Sequence, residues 1–275
     1  MLSLAAAVDA LCWLTAISVL IQSAEYLRLQ AAADDGRSSP HPGLLAPWPW
    51  AIQRDDLIGS SRPVRALFDQ LYRPQVHRMQ LFVHALCAAS LPLIGPSPVA
   101  ALVLLASQVL ISIRWRGAFN GGSDFMTLAV LGGIALGACA TPWLGFALAW
   151  QAGLWLISIQ ALSSYFLSGS VKLLHAGWRD GRALPTLLDG GIYGPLAANS
   201  LLRRQPIAII CSWAFILWEA AFPLAMIDPR VTMLWCAIGV AFHFLVFWYF
   251  GLNRFFWAWC ASFPALIACA GLIRG

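Results

Sequence analysis

Hydrophobic residues fall in long blocks along this chain, and polar residues collect in the gaps between them. A helix that crosses a bilayer needs about 20 mostly apolar residues. Eight blocks come near that length: Leu4–Tyr26, Met79–Ile94, Val99–Ile113, Phe125–Ala140, Trp143–Leu167, Ile207–Ile227, Val231–Phe250 and Phe255–Leu272. The second and third are short and are separated only by "GPSP", which predicts a helical hairpin with a tight turn, tilted or partly interfacial. The pattern therefore predicts an all-α polytopic bundle of about eight membrane helices, one integral membrane domain over residues 1–275. It shows no internal repeat and no separate soluble domain.

Two long connections interrupt the blocks. The first covers residues 27–78, an extramembrane connection with seven arginines. Within it, "SRPVRALFDQLYR" puts Val64, Leu67, Phe68, Leu71 and Tyr72 on one helical face and Arg65 and Asp69 on the other. This predicts an interfacial amphipathic helix over 61–73, with Ser61 as its cap and a proline just behind. "APWPWAI" ahead of it supplies interfacial tryptophans. The second connection runs from Ser168 to Gln205 and begins with "SGSVKLLHAGWRDG".

Composition sharpens this picture. The chain is 60% hydrophobic and 11% charged, with a mean hydropathy of +0.73. Soluble domains carry about 25% charged residues, so membrane lipid is the first partner. The net charge of +5 comes from arginines lying between apolar blocks. That reads as topology and not as nucleic-acid affinity. Arginine asymmetry places both termini outside and the Ser168–Gln205 connection on the cytoplasmic side. The seven cysteines all fall in apolar blocks without a CxxC pair, the pattern of small buried hydrophobes. The N-terminus lacks the basic region of a cleaved signal peptide.

Sixteen of the seventeen cationic side chains are arginine, and the single lysine is Lys172, at the end of a membrane-length block. Three readings of it stand. It snorkels to the headgroups; it pairs with a carboxylate such as Asp124 or Glu219; or it is an amine held away from water, where the charged form is disfavoured. A neutral amine serves as a general base, which a guanidinium cannot do.

Ionisable residues inside membrane segments default to functional hypotheses. Glu219 and His243 lie near the middle of their blocks, and His84 sits in the second. A helix-packing hydrogen bond explains Glu219 as well as function does, and for His243 and His84 an interhelical hydrogen bond is the preferred reading. Arg114, Arg116, Asn120 and Asp124, in "RWRGAFNGGSDF", suit a polar ligand at the membrane edge, while Ser123 or Asp124 as a helix cap explains the same residues without function. His175 shares a face with Lys172 if that helix continues. Trp178 and Gly181 then mark a sharp exit from the membrane.

The ordered pieces "FNGGSDFM", "YFLSGSVKLLHAGWRDGRAL", "WEAAFPLAM" and "FHFLVFWYFGLNRFFWAW" resemble the HTTM family, whose membrane domain is shared with vitamin K-dependent gamma-carboxylase and with the sporulation-delaying B-type proteins. The resemblance covers roughly Gln75 to the C-terminus, and Y-x-x-S-G-x-x-K-L is its most specific part. It implies a helical membrane bundle that couples oxygenation of reduced vitamin K or another quinol to carboxylation, with O2 and CO2 as co-substrates and no metal. In the family the lysine of G-x-x-K-L is regarded as the base that deprotonates the quinol, and Lys172 takes that position. On this reading Glu219 and His243 orient groups or relay protons. Tyr165, Trp178, His175 and the aromatic run Phe244–Phe256 wall the quinone pocket, while Asn120, Asp124 and Arg116 hold polar groups.

Two departures matter. The carboxylase pattern has adjacent lysines where this chain has Val171 before Lys172, and its large substrate-recognition domain has no counterpart here. A small secreted peptide or an accessory protein would then supply the substrate. The carboxylase also works on the lumenal side, against the cytoplasmic placement from arginine counting. The expectation is a quinol-coupled enzyme of a bacterial cytoplasmic membrane; the alternative is a non-enzymatic maturation or export accessory for a secreted peptide or toxin.

Overall fold

The computed structural model describes residues 2–34, 61–116 and 121–274. Among them the chain is helical, without strands. The elements are α1 (Leu4–Asp34), α2 (Arg62–Leu71), α3 (Pro74–Ile94), α4 (Pro98–Arg114), α5 (Gly121–Leu174), α6 (Ala176–Arg179), α7 (Ala183–Leu188), α8 (Gln205–Ala220), α9 (Phe222–Ala225), α10 (Pro229–Phe250) and α11 (Asn253–Arg274). A 3₁₀ turn, Leu201–Arg203, precedes α8.

Among the described residues, four helical stretches are long and apolar enough to cross a membrane: Leu4–Ala31, Gly121–Leu174, Pro229–Phe250 and Asn253–Arg274. They are compatible with a membrane protein. The other expected spans fall short on that measure for physical reasons. At about 1.5 Å per residue, α4 and α8, with 17 and 16 residues, are apolar but short. His77, Arg78 and Gln80 make the first turns of α3 polar. Expected blocks four and five run together as α5, which contains a break at Gly145 (φ 73°, ψ 161°) and not at Thr141–Pro142. Only glycine takes that backbone cheaply. The chain reverses there, because Gly133 packs against Gly153 and Ile157, and Gly137 against Trp150. The two arms, residues 121–144 and 146–174, form a hairpin whose small residues let the backbones approach, as helix packing in lipid favours. Glu219 lies near the end of α8 and not in mid-helix, because the helix stops at Ala220 before Phe222–Pro223 begins α9.

The amphipathic helix forms at Arg62–Leu71, with Ser61 at its N-cap position but without a side-chain cap bond. It has no buried residue, and Val64 and Leu67 stand exposed. The Tyr72 hydroxyl, just after it, donates to the Leu110 carbonyl at 2.8 Å and ties it to α4. "APWPWAI" lies outside the described residues. Four of the seven cysteines are buried and three half-buried.

Polar side chains join several helix ends at one end of the bundle. Arg254, at the start of α11, faces Asp124 on α5 and Glu25 on α1, both at 3.5 Å. It also bonds the Tyr26 hydroxyl, and Asn253 donates to Glu25 at 2.8 Å. Tyr26 stacks on Trp115, whose indole donates to His77 on α3 at 2.9 Å. Asp124 is fully buried, so Arg254→Ala removes the guanidinium beside a buried carboxylate. Breaking such a pair costs about 3–5 kcal/mol, and we expect a clear drop in the thermal midpoint of the purified protein. An unchanged midpoint would show that the cluster is not structural.

Candidate functional site

One face of the second arm of α5 carries Tyr165, Ser168, Gly169 and Lys172, spaced three and four residues apart as a helical stripe requires. Each position of the Y-x-x-S-G-x-x-K segment makes its own contact. The Tyr165 hydroxyl and His243 Nε2 on α10 share a 2.7 Å hydrogen bond. Ser168 Oγ accepts from Lys172 Nζ at 2.6 Å. Gly169 packs directly on the backbone of α8: a Cβ there would lie 2.3 Å from Ala220 N and 2.8 Å from both Glu219 C and Ala220 Cα. One turn further, Lys172 Nζ donates to Glu219 Oε2 at 2.5 Å. The glycine thus sets the helix separation at which the lysine reaches the carboxylate.

These side chains border a cavity of about 310 Å³. Tyr165, Glu219, His243 and Trp259 are its buried inner residues, and Ser164, Ser168 and Lys172 follow along α5. Phe242, Val246 and Phe250 of α10 and Phe255 of α11 make the rest mostly apolar and aromatic. Aromatic stacking holds the inner pair. Tyr165 lies flat on Phe222, with ring centroids 4.1 Å apart, and His243 lies on Trp259 at 4.9 Å. His243 Nδ1 is buried without a hydrogen-bond partner. Glu219 keeps only 4% of its side chain exposed and Lys172 keeps 18%, so a strong ion pair stands at the edge of a largely water-poor space.

Of the expected site residues, the fold brings Lys172, Glu219, His243 and Tyr165 together on one cavity. Trp178 is half-buried beside it, its ring centroid 5.4 Å from Lys172 Nζ, a cation–π contact, but it does not border the cavity. His175 does not share the lysine's face: α5 ends at Leu174, and His175 caps α6 with its side chain exposed. Asp124 belongs to the Arg254 cluster, which leaves Glu219 as the carboxylate that pairs with Lys172. Arg116 is half-buried after α4 and does not border the cavity. Asn120 lies outside the described residues. In the run Phe244–Phe256 the work is divided. Phe250 and Phe255 face the cavity, while Phe244 and Trp248 point outward, 45% and 57% exposed. Counting i, i+4 from Phe242 and from Phe255 would have separated these faces and found Trp259. Ser168 and Leu187 carried no sequence signal beyond the motif and the apolar pattern.

After Leu174 the chain leaves α5 through a short exit. Gly181 takes the left-handed conformation expected of it, φ 79°. Arg182 donates two side-chain bonds to Asp180, and holds that carboxyl below its ordinary range. No family, no curated protein and no solved structure matches this chain in comparison.

Proposed function

We propose that this chain is a membrane enzyme of eight helical crossings that couples quinol oxidation to carboxylation of a peptide supplied by a partner. The crossings are α1, α3, α4, the two arms of α5, α8 with α9, α10 and α11. The observation that carries the proposal is the placement of the only lysine. Lys172 stands between Ser168 and Glu219 on an aromatic cavity whose inner end holds the Tyr165–His243 pair.

The cavity residues fit a quinol. Flat aromatic surfaces at Phe242, Phe255 and Trp259 suit a ring, and two polar pairs suit its oxygens. The volume of about 310 Å³ is near the lower limit of small-molecule sites, about 300–1,000 Å³. A bound quinol would supply, on reaction with O2, the strong base that carboxylation requires. The protein's part is proton handling at Lys172. Moving one proton along the 2.5 Å hydrogen bond, from Nζ to Glu219 Oε2, leaves a neutral amine and a neutral acid. The amine then accepts a hydroxyl proton without bulk water, and Ser168 keeps Nζ on the cavity side. His243 and Tyr165 orient a second polar group, and the aromatic wall around the inner end limits the access of water to a strong base.

The test is direct. Membranes containing the protein, given reduced naphthoquinone, O2 and CO2, are expected to form the naphthoquinone epoxide. Membranes without the protein form none. Absence of epoxide over the whole accessible quinol range would sink the quinol reading and favour a non-enzymatic maturation accessory.

A further inference from the structure

The outward side of the second arm of α5 carries polar groups where hydrocarbon offers them no partner. Gly121–Leu174 is long and apolar enough to cross a membrane. Gln160 is the middle residue of its arm 146–174, and its side chain is exposed. Among the described residues, the four long apolar stretches expose no other amide or charged side chain away from their ends. Gln160 Nε2 donates to Ser164 Oγ at 3.4 Å, and its side-chain carbonyl oxygen has no described partner. A carboxamide left open in hydrocarbon is costly, and a facing helix is what relieves it. Gln160 also stands in a pattern. Leu156, Gln160, Ser163, Leu167, Ser170 and Leu174 alternate steps of four and three residues. That is the 3.5-residue repeat of a seam along which two helices pack at a shallow angle. Four of the six side chains are exposed and the two serines are half-buried. The seam runs for about 27 Å at about 1.5 Å per residue, close to the hydrocarbon thickness of about 30 Å. The residues of the arm that border the cavity, Ser164, Tyr165, Ser168 and Lys172, lie on a different side of it.

We infer that this seam is an interface with a second copy of the same chain, in which the two Gln160 side chains hydrogen-bond to each other across a two-fold axis. Self-complementarity argues for a second copy. Copies of one membrane protein share one orientation, so the axis runs along the membrane normal and the paired helices are parallel. Each seam residue then meets its own counterpart, as an isologous interface requires. A carboxamide is donor and acceptor at once, so glutamine satisfies glutamine. Ser163 and Ser170 recur at one position of the repeat, where small side chains let the backbones approach. Leu167 and Leu174 recur at the other, where leucine packs on leucine. One polar position within such a seam fixes the register of the two helices. The inference uses no cavity residue and stands apart from the quinol reading.

The experiment measures the mass of the purified full chain by sedimentation equilibrium in neutral detergent. Wild type is compared with Gln160→Leu, Ser163→Phe and Leu86→Ala, the last at an exposed leucine of α3 outside the seam. Wild type and Leu86→Ala are expected to be dimers of equal strength. Gln160→Leu is expected to dissociate roughly tenfold more readily, the scale of an interhelical polar contact in a membrane. Ser163→Phe, whose ring holds the helices apart, is expected to be a monomer. Circular dichroism of all three variants is expected to match wild type, because each change lies on the outward side. In a second measurement, Leu167 is replaced by a photoreactive phenylalanine analogue in intact membranes. It is expected to cross-link to residues 156–174 of a second copy. A monomeric wild type, a Gln160→Leu dimer as tight as wild type, or cross-linking to lipid or to a different protein overturns the inference. Loss of helical signal in Gln160→Leu overturns it too, since Gln160 would then serve the fold of one chain.

Discussion

Lys172→Arg is expected to leave the protein folded and to abolish its activity. A guanidinium at this position still pairs with Glu219, so the charge balance at the α5–α8 contact is kept. It does not release a proton in a protein, so the neutral base is lost. Proton transfer by a positioned side chain contributes about 10²–10⁴-fold to rate, and a decrease in epoxide formation within that range is expected. Lys172→Ala should behave differently. It leaves the buried Glu219 carboxylate without its cation, a loss of about 3–5 kcal/mol, so this variant should be both inactive and less stable. The double variant Lys172→Met/Glu219→Leu separates the two effects. Replacing a buried ion pair by apolar residues is often neutral or stabilising by about 1–4 kcal/mol. Its melting midpoint should return to that of the wild type or exceed it while activity stays absent. An arginine variant with full activity would make Lys172 a structural cation and leave the base elsewhere.

Gly169→Ala has the second large effect, through geometry. The added methyl would meet backbone atoms of Glu219 and Ala220, not the end of a flexible side chain, so α5 and α8 must separate. Such overpacking costs about 1–3 kcal/mol. The larger consequence is at the ion pair one turn away, where Nζ and Oε2 now lie 2.5 Å apart. A misplacement of about 1 Å in a reacting constellation can cost about 100-fold in rate. Activity is therefore expected to fall by roughly that factor, with only a modest shift of the thermal midpoint. Loss of stability in proportion to loss of activity would reduce Gly169 to ordinary packing.

Much of the architecture was legible along the chain. The four helical stretches long and apolar enough to cross a membrane fall on predicted blocks, the longest of them covering two, and α2 appears where the amphipathic stripe placed it. Boundaries were less legible, because backbone preferences decide them locally. Gly145 with its positive φ, and not Pro142, breaks α5. Membrane helices tolerate proline, and Pro142 sits inside α5 three residues before the break.

The site divides in the same way. Its chemistry was written in residue types: a lone lysine among arginines, and an acid and a histidine inside apolar blocks. Which of two carboxylates meets the lysine was not written there. Asp124 and Glu219 each stand close enough to a bundle end to serve, and only the approach of α8 at Gly169 selects Glu219, while Arg254 takes Asp124. His175 shows the converse. Its spacing put it on the lysine's face, but α5 ends one residue before it and turns its side chain outward.

The sequence by itself determined an all-helical, lipid-compatible chain and the residue types able to carry its chemistry, because apolar length and periodicity depend only on neighbours along the chain. The tertiary structure alone decided the pairing of Lys172 with Glu219, the pairing of Tyr165 with His243, and the aromatic cavity they share. Those contacts join residues 47 and 78 positions apart, and at such separations helix packing, not local pattern, sets which side chains meet.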